Sequence, residues 1–328
     1  MSIGIPISIL DLSPIVTGGT AAESFRNTLD LAQHAEKWGY HRYWLAEHHN
    51  MAGIASAATS VVIGHVAGNT SSIRVGSGGI MLPNHAPLLI AEQFGTLESL
   101  YPGRIDLGIG RAPGTDPTTT HALRRDLLST GESFPQDLLE LQSYFTAIKP
   151  GQQVRAIPGT GLGVPIWLLG SSLYSAQLAA HLGLPFAFAS HFAPDYLLQA
   201  LSIYRALFKP SETLSRPYVM PAVNVFAADT AAEGARLATS VQQAFLNLRK
   251  GNPGQLSPPV DSMEGKWSDA ERAGVEHALK YTVTGSPEMV AGGLRDFIEL
   301  TKADELIITA HIHNHSARLR SFELVSTL

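Results

Sequence analysis

The sequence predicts an α/β fold of the (β/α)₈ TIM-barrel class, and three observations carry that prediction. Apolar runs rich in Ile, Val and Leu alternate with longer amphipathic segments, the pattern of parallel strands covered by helices. Eight such units follow one another, the number that closes a barrel. Four runs end in polar or glycine residues: Ala46-Glu47-His48-His49, residues 75–87 (VGSGGIMLPNHAP), residues 107–111 (LGIGR) and residues 168–172 (LLGSS). Barrels carry their chemistry at C-terminal strand ends, so this order has a functional meaning. A doubly wound open sheet shares the periodicity and stands as the competing architecture.

Strands are expected at residues 3–10, 42–46, 74–80, 104–109, 165–169, 185–189, 218–226 and 305–310. Between the first two, a helix over 22–38 places Phe25, Leu29, Ala32 and Ala35 at three- and four-residue spacing. A helix over 88–100 turns Leu89, Phe94 and Leu97 inward. Gly39, Gly103 and Gly183 fall just past helix ends, where a left-handed cap suits glycine. Two Pro/Gly-rich excursions break the alternation, 112–120 after the fourth strand and 251–266 after the seventh. Long loops of this kind are lids or disordered, and their place near the strand ends favours lids.

With 328 residues, 45% of them hydrophobic, the chain buries a large core, and barrels of this size form one domain, here residues 1–328. The 23 basic and 28 acidic residues give a net charge of −5 without a long basic run, which argues against nucleic acid. Cysteine is absent, which removes disulfides, zinc thiolates and a Cys nucleophile. No apolar stretch reaches the ~18 residues of a membrane helix, and no basic region precedes the apolar start. A cytoplasmic protein is expected.

The strand-end residues suggest chemistry one by one. Strand alternation sends one of His48 and His49 toward the barrel mouth and the other outward, and an imidazole there suits proton transfer near neutral pH. Glu47 reads as a supporting carboxylate. The Ser77-Gly78-Gly79 turn lets backbone approach a flat ring, because glycine has no Cβ. Asn84 and His85 follow in the same loop, as ligand contacts or as turn formers. Arg111 follows the fourth strand, as an anion contact or a surface ion pair. Gly170-Ser171-Ser172 leads into a helix whose free N–H groups and dipole favour an anion, and N-capping explains the serine equally.

Taken together, YWLAEHH at 43–49, VGSGGIMLPNHAP at 75–87, QFGTLESLYPGRIDLGIGRAPG at 93–114, PIWLLGSS at 165–172 and LPFAFASHF at 184–192 resemble the bacterial luciferase-like flavin-dependent monooxygenases. The resemblance spans the first two-thirds of the chain; beyond about residue 210 only the element pattern agrees. It implies a barrel that binds reduced FMN at the strand ends, a homodimer, a separate flavin reductase as partner and a small organic substrate. A deazaflavin in place of FMN is compatible with it, and light emission is not implied. Gly108, Gly110 and Gly114 lack the spacing of a dinucleotide fingerprint, consistent with the absence of a nicotinamide domain.

Carried over residue by residue, the resemblance makes His48 the catalytic histidine and puts a non-proline cis peptide at Gly78–Gly79. It assigns Arg111, Ser172 and Ser175 to the FMN phosphate, with Gly170, Ser171 and Tyr174 beside them, and Ser77, Gly78, Gly79 and Asn84 to the ring and chain. Some relatives supply a second phosphate Arg near residues 131–140, which here contain no base; Arg124 and Arg125 lie upstream as substitutes. Trp44, Met81 and Phe192 are candidates for an apolar substrate pocket. Closure of the 251–266 loop would exclude water.

Two other classes compete. His311 and His313 share a strand face and fit a metal-dependent barrel hydrolase, although the other strand ends offer mainly Gly, Ser and Asn. A protein that stores or senses flavin without turnover is the third. Metal content separates the first rival and oxygen-dependent turnover the second; the preferred reading has no metal site.

Overall fold

The computed structural model describes residues 3–112, 116–123 and 133–328. In chain order the strands are β1 (Ile7–Asp11), β2 (Arg42–Leu45), β3 (Arg74–Met81), β4 (Ile105–Gly110), β5 (Ile166–Gly170), β6 (Phe186–Phe188), β7 (Val219–Ala227), β8 (Thr282–Gly285) and β9 (Leu306–Thr309). The helices are α1 (Ala21–Lys37), α2 (Thr59–Gly68), α3 (Pro87–Leu100), α4 (Pro117–Leu123), α5 (Phe134–Phe145), α6 (Leu173–Leu182), α7 (Leu197–Leu207), α8 (Ala231–Arg249), α9 (Asp269–Ala278), α10 (Pro287–Thr301) and α11 (His315–Ser326).

Strands β1 to β7 pair in sequence order and in parallel, and β9 pairs with both β7 and β1, so eight strands close into a ring. The open-sheet alternative is thereby excluded. All eight ring strands coincide with expected ones; β8 was not foreseen. It pairs with Asn224–Ala227, the end of β7 that runs past β9, and is four residues of TVTG, too short to show periodicity. The first strand begins at Ile7 rather than residue 3, and Ile3 instead donates to the Leu328 carbonyl at 3.1 Å.

Alternation along each strand builds two apolar layers. Leu10, Trp44, Ala46, Trp167, Ala187, Met220, Ala222 and Ile307 fill the barrel interior. Tyr43, Leu45, Val75, Leu107, Phe186, Phe188 and Ile308 point outward beneath the helices. Trp44 therefore belongs to the core, fully buried with its ring edge-on to Trp167 at 5.2 Å, and is not a pocket residue.

A buried polar network seals the N-terminal end of the ring. Arg42 Nη1 donates to Asp106 Oδ2 at 2.7 Å and its Nε to Glu305 Oε1 at 3.1 Å, while Arg74 Nη2 donates to Asp106 Oδ1 at 2.5 Å. Tyr218 and Ser8 donate to the same Glu305. Function is thus left to the opposite end.

Two helix faces differ from expectation. Leu89 is 48% exposed while Phe94 and Leu97 are buried as expected. In α1 the buried face runs through Ser24, Thr28, Leu31, Ala32 and Ala35, not Leu29, because the Thr28 hydroxyl donates to buried Asp11 at 2.9 Å. Gly39, Gly103 and Gly183 have positive φ, as their cap positions require.

Candidate active site

Parity carried upward from the barrel interior decides which histidine enters the mouth. Arg42, Trp44 and Ala46 face inward along β2, so His48 continues that face and Glu47 and His49 turn away from it. Glu47 is buried and accepts from His49 Nε2 at 2.7 Å, His85 Nε2 at 2.8 Å and the Met81 N–H at 3.1 Å. Burial pushes its carboxyl upward, but the hydrogen bonds from His49 and His85 prevail and hold it at about 2. This ionised carboxylate braces the β2 end against the loop after β3.

Two further histidines, His191 and His311, follow β6 and β9 at the same end of the ring. Burial lowers the His48 imidazole, Glu47 raising it and His49 lowering it. Burial, with His311 and His48 adding to it, pushes His191 down to about 3. Burial and the Arg318 charge, against Asp11, push His311 down to about 4. Three neutral imidazoles thus line the mouth, and the Nδ1 atoms of His48 and His191 are buried without a hydrogen-bond partner. His191 was not foreseen as a site residue, because the turn after β6 breaks the alternation that would have pointed to it.

The β5–α6 junction gathers two hydroxyls and a helix N-terminus. Ser172 is the N-cap of α6, its Oγ accepting from the Ser175 N–H at 3.4 Å, and Ser175 is buried with its hydroxyl donating to the Ser172 carbonyl at 2.8 Å. A Cβ on Gly170 would lie 2.1 Å from Ser175 Oγ, so glycine is required there. Arg111, exposed at the end of β4, stacks its guanidinium on the Tyr174 ring at 4.5 Å. The first-turn N–H groups, the hydroxyls and a held cation suit a phosphate.

The Gly78–Gly79 bond is cis, as the resemblance implies, and the register with β4 shifts between Ser77 and Ile80. A Cβ on Gly78 would meet Leu10 at 2.6 Å and one on Gly79 the Gly108 carbonyl at 2.7 Å, so both glycines are also demanded by packing inside the wall. Ser77 is fully buried, its hydroxyl donating to the Gly108 carbonyl at 2.8 Å. Asn84 is buried in the turn Leu82–Asn84, and Phe192 is 45% exposed at the rim. Gly114, Arg124 and Arg125 lie outside the described residues, as does 113–115 of the first excursion.

The 251–266 segment is docked rather than loose. Leu256 donates to the Ile15 carbonyl and accepts from the Thr17 N–H, both at 2.9 Å, while Val260 exchanges hydrogen bonds with Thr239 at 2.8 and 3.1 Å. It packs against the β1–α1 loop and α8. Among the described residues, the one group of three side chains with metal-ligand proximity is Glu47, His49 and His85; His311 and His313 join no such group. No helix of the described residues is long and apolar enough to cross a membrane.

Fold and mouth together define a (β/α)₈-barrel protein with His48, Arg111 and the Ser172 cap following strands at the same end of the ring. The chain belongs to the luciferase-like monooxygenase family, whose model matches residues 5–304. It is 58% identical to the luciferase-like monooxygenase of Escherichia coli strain K12, over 98% of this chain and 96% of that one. To the N-acetyl-S-alkylcysteine monooxygenase of Bacillus subtilis strain 168 it is 34% identical, over 98% and 97%. The crystal structure of apo-MsnO8 superposes with a TM-score of 0.92 at 35% identity, covering 98% of each chain. The same fold recurs in the FMN complex of the oxygenating constituent of 3,6-diketocamphane monooxygenase from Pseudomonas putida (TM-score 0.73, 19% identity, 98% and 96% covered). It recurs also in an F420-dependent secondary alcohol dehydrogenase (0.66, 13%, 98% and 98%).

Proposed function

We propose that this chain is a cytoplasmic flavin-dependent monooxygenase, one barrel domain over residues 1–328, that uses reduced FMN and O₂ to oxidise a small organic substrate. The observation that carries this reading is the pairing, on one barrel mouth, of the cradle at Arg111 and Ser172 with His48, whose buried Nδ1 has no partner. The phosphate would be held by Arg111, Ser172, Ser175 and the α6 N-terminus with Gly170 and Ser171, Tyr174 keeping Arg111 in place. Ser77, Gly78, Gly79 and Asn84 would line the ring and chain. When bound, reduced flavin supplies the electrons that activate oxygen. His48, neutral at pH 7, holds or moves the proton of the reacting oxygen, and the 251–266 wall limits water at the rim.

A separate flavin reductase would supply the reduced cofactor, as the two-part nature of the diketocamphane relative suggests, and the enzyme would act as a homodimer. A deazaflavin is the alternative cofactor, because a protein of the same fold uses F420. The N-acetyl-S-alkylcysteine relative makes thioethers the first substrates to assay.

Anaerobic protein titrated with reduced FMN, and separately with reduced deazaflavin, tests the reading, followed by exposure to O₂ with a thioether. The expected result is saturable binding at micromolar protein and one oxygen atom transferred per flavin oxidised. Arg111→Ala should weaken binding by about 1.5–3 kcal/mol and Ser172→Ala by about 1 kcal/mol, the difference between charge-assisted and neutral hydrogen bonds. Binding of neither cofactor would overturn the proposal.

A further inference from the structure

Glu47, His49 and His85 have no part in the flavin reading beyond bracing. Glu47 and His49 stand two residues apart just past the end of β2, on the face turned away from the mouth. His85 arrives from a different segment, 38 residues beyond Glu47, where it caps the turn Leu82–Asn84 after β3.

What distinguishes the group is where its contacts converge. His49 Nε2 and His85 Nε2 lie 2.7 and 2.8 Å from the same carboxylate oxygen, Glu47 Oε1, while Glu47 Oε2 accepts from the Met81 N–H at 3.1 Å. A brace would be served as well by one imidazole on each oxygen, since each has room for a donor. Two nitrogens and an oxygen drawn to one point, all within 4.8 Å of one another, have instead the arrangement of a ligand set. Around a four-coordinate ion with bonds of about 2.0–2.2 Å, ligand atoms stand about 3.3 Å apart, so the two short contacts need to open by only about 0.5 Å. His49 and His85 both sit on irregular chain outside the strands and helices, where a small side-chain rotation supplies that opening.

Burial and chemistry agree with a cation. The Glu47 side chain is 1% exposed, and those of His49 and His85 are 14% and 22%. The anionic ligand is thus held inside, while the two imidazoles reach the surface, where a water completes the shell. Cysteine is absent from the chain, so the donors are nitrogen and oxygen only. Two imidazoles and one carboxylate select a borderline divalent ion over Ca²⁺ or Mg²⁺, which take oxygen ligands.

We propose that Glu47, His49 and His85 bind one divalent ion of the zinc type as a structural site that ties the end of β2 to the loop after β3. Glu47 and His49 turn away from the inner face, so the ion serves position rather than chemistry: it fixes the two segments that carry His48 and Asn84. In place and in role it differs from the hydrolase centre considered for His311 and His313. It does not depend on which cofactor the mouth takes.

Metal-free, flavin-free full-length protein is titrated calorimetrically with Zn²⁺ at pH 7, and its melting temperature is followed across the same range. A single ion per chain should bind with micromolar or tighter affinity, and the melting temperature should rise by roughly 5 °C at a hundredfold excess over the dissociation constant. His49→Gln and His85→Gln are the informative variants, because a Gln amide still donates to Glu47 while its nitrogen cannot ligate a metal. Each should weaken Zn²⁺ by at least about tenfold and keep a zinc-free melting temperature close to the parent's. A His311→Asn and His313→Asn double variant should bind as the parent does. Co²⁺ gives a readout in the parent alone: in a shell of four or five ligands it absorbs strongly in the visible, and as the aqua ion only weakly. Absence of saturable Zn²⁺ binding, a Co²⁺ spectrum like that of the aqua ion, binding that survives both Gln substitutions, or binding lost in the His311 and His313 variant overturns the site. Because flavin is absent, a failed metal titration leaves the flavin titration standing, and the reverse holds.

Discussion

His48 separates chemistry from bracing because its side chain makes no hydrogen bond at Nδ1 that its removal would strand. His48→Ala should leave reduced-flavin affinity nearly unchanged and cut product formation by about 10²–10⁴, the usual range for a positioned acid or base. A bracing role predicts the reverse, a lower melting temperature with turnover per folded molecule preserved. Melting temperature, flavin affinity and single-turnover yield on one preparation decide between them. His49→Ala is the control, since it removes one of the two imidazoles holding Glu47. Alternation made one of the two histidines legible in the sequence, and the resemblance chose His48; the inward row Arg42, Trp44, Ala46 agrees with that choice. His191 escaped because two residues of irregular chain, Ala189 and Ser190, separate it from Phe188, the end of a three-residue strand. The Asp11–Arg318 pair was also invisible, its members being 307 residues apart.

At the scale of the element, the strand-to-helix turn after β5 was the best-read feature. Gly170, Ser171 and Ser172 announced a capped helix, and the cap is present. For the 251–266 segment, Pro and Gly signal irregular backbone and not which partners that backbone finds; here it finds Ile15, Thr17 and Thr239. The turn also yields a sharp test. Gly170→Ala drives a Cβ to within 2.1 Å of Ser175 Oγ and 2.5 Å of its Cβ, atoms that belong to the first turn of α6. The expected cost is about 1–3 kcal/mol of stability from overpacking. FMN affinity should fall by about tenfold as the Ser175 to Ser172 bond is displaced from the cradle. Chemical denaturation and flavin titration would show it, and unchanged values in both would mean that the junction relaxes freely and does not shape the phosphate site.

Across the whole molecule the buried imidazoles and the braced carboxylates respond to acid in separate windows. His191 and His311 have folded-state values of about 3 and about 4, below the ordinary 6.5, and His48 is lowered as well. Between those values and 6.5 the unfolded chain binds more protons than the folded one. The stability these histidines contribute is therefore present above pH 6.5 and is lost as pH falls toward 4 and 3. The braced carboxylates act later: Glu47, and Glu36 of α1, which accepts from the Ser71, Ser72 and Ile73 N–H groups, are held at about 2 against an ordinary 4.5 and lose their contribution as pH falls from about 4.5 to 2. Denaturant midpoints measured from pH 8 to pH 3 should thus decline already between pH 7 and 5, before the carboxylates titrate. Replacing the mouth imidazoles by groups that cannot charge, as in a His191→Gln and His311→Asn double variant, should flatten the slope from pH 7 to 5 and leave the slope below pH 4.5 intact. A slope from pH 7 to 5 as steep in the double variant as in the parent would place the acid sensitivity elsewhere and show that the mouth histidines are not kept neutral by the fold.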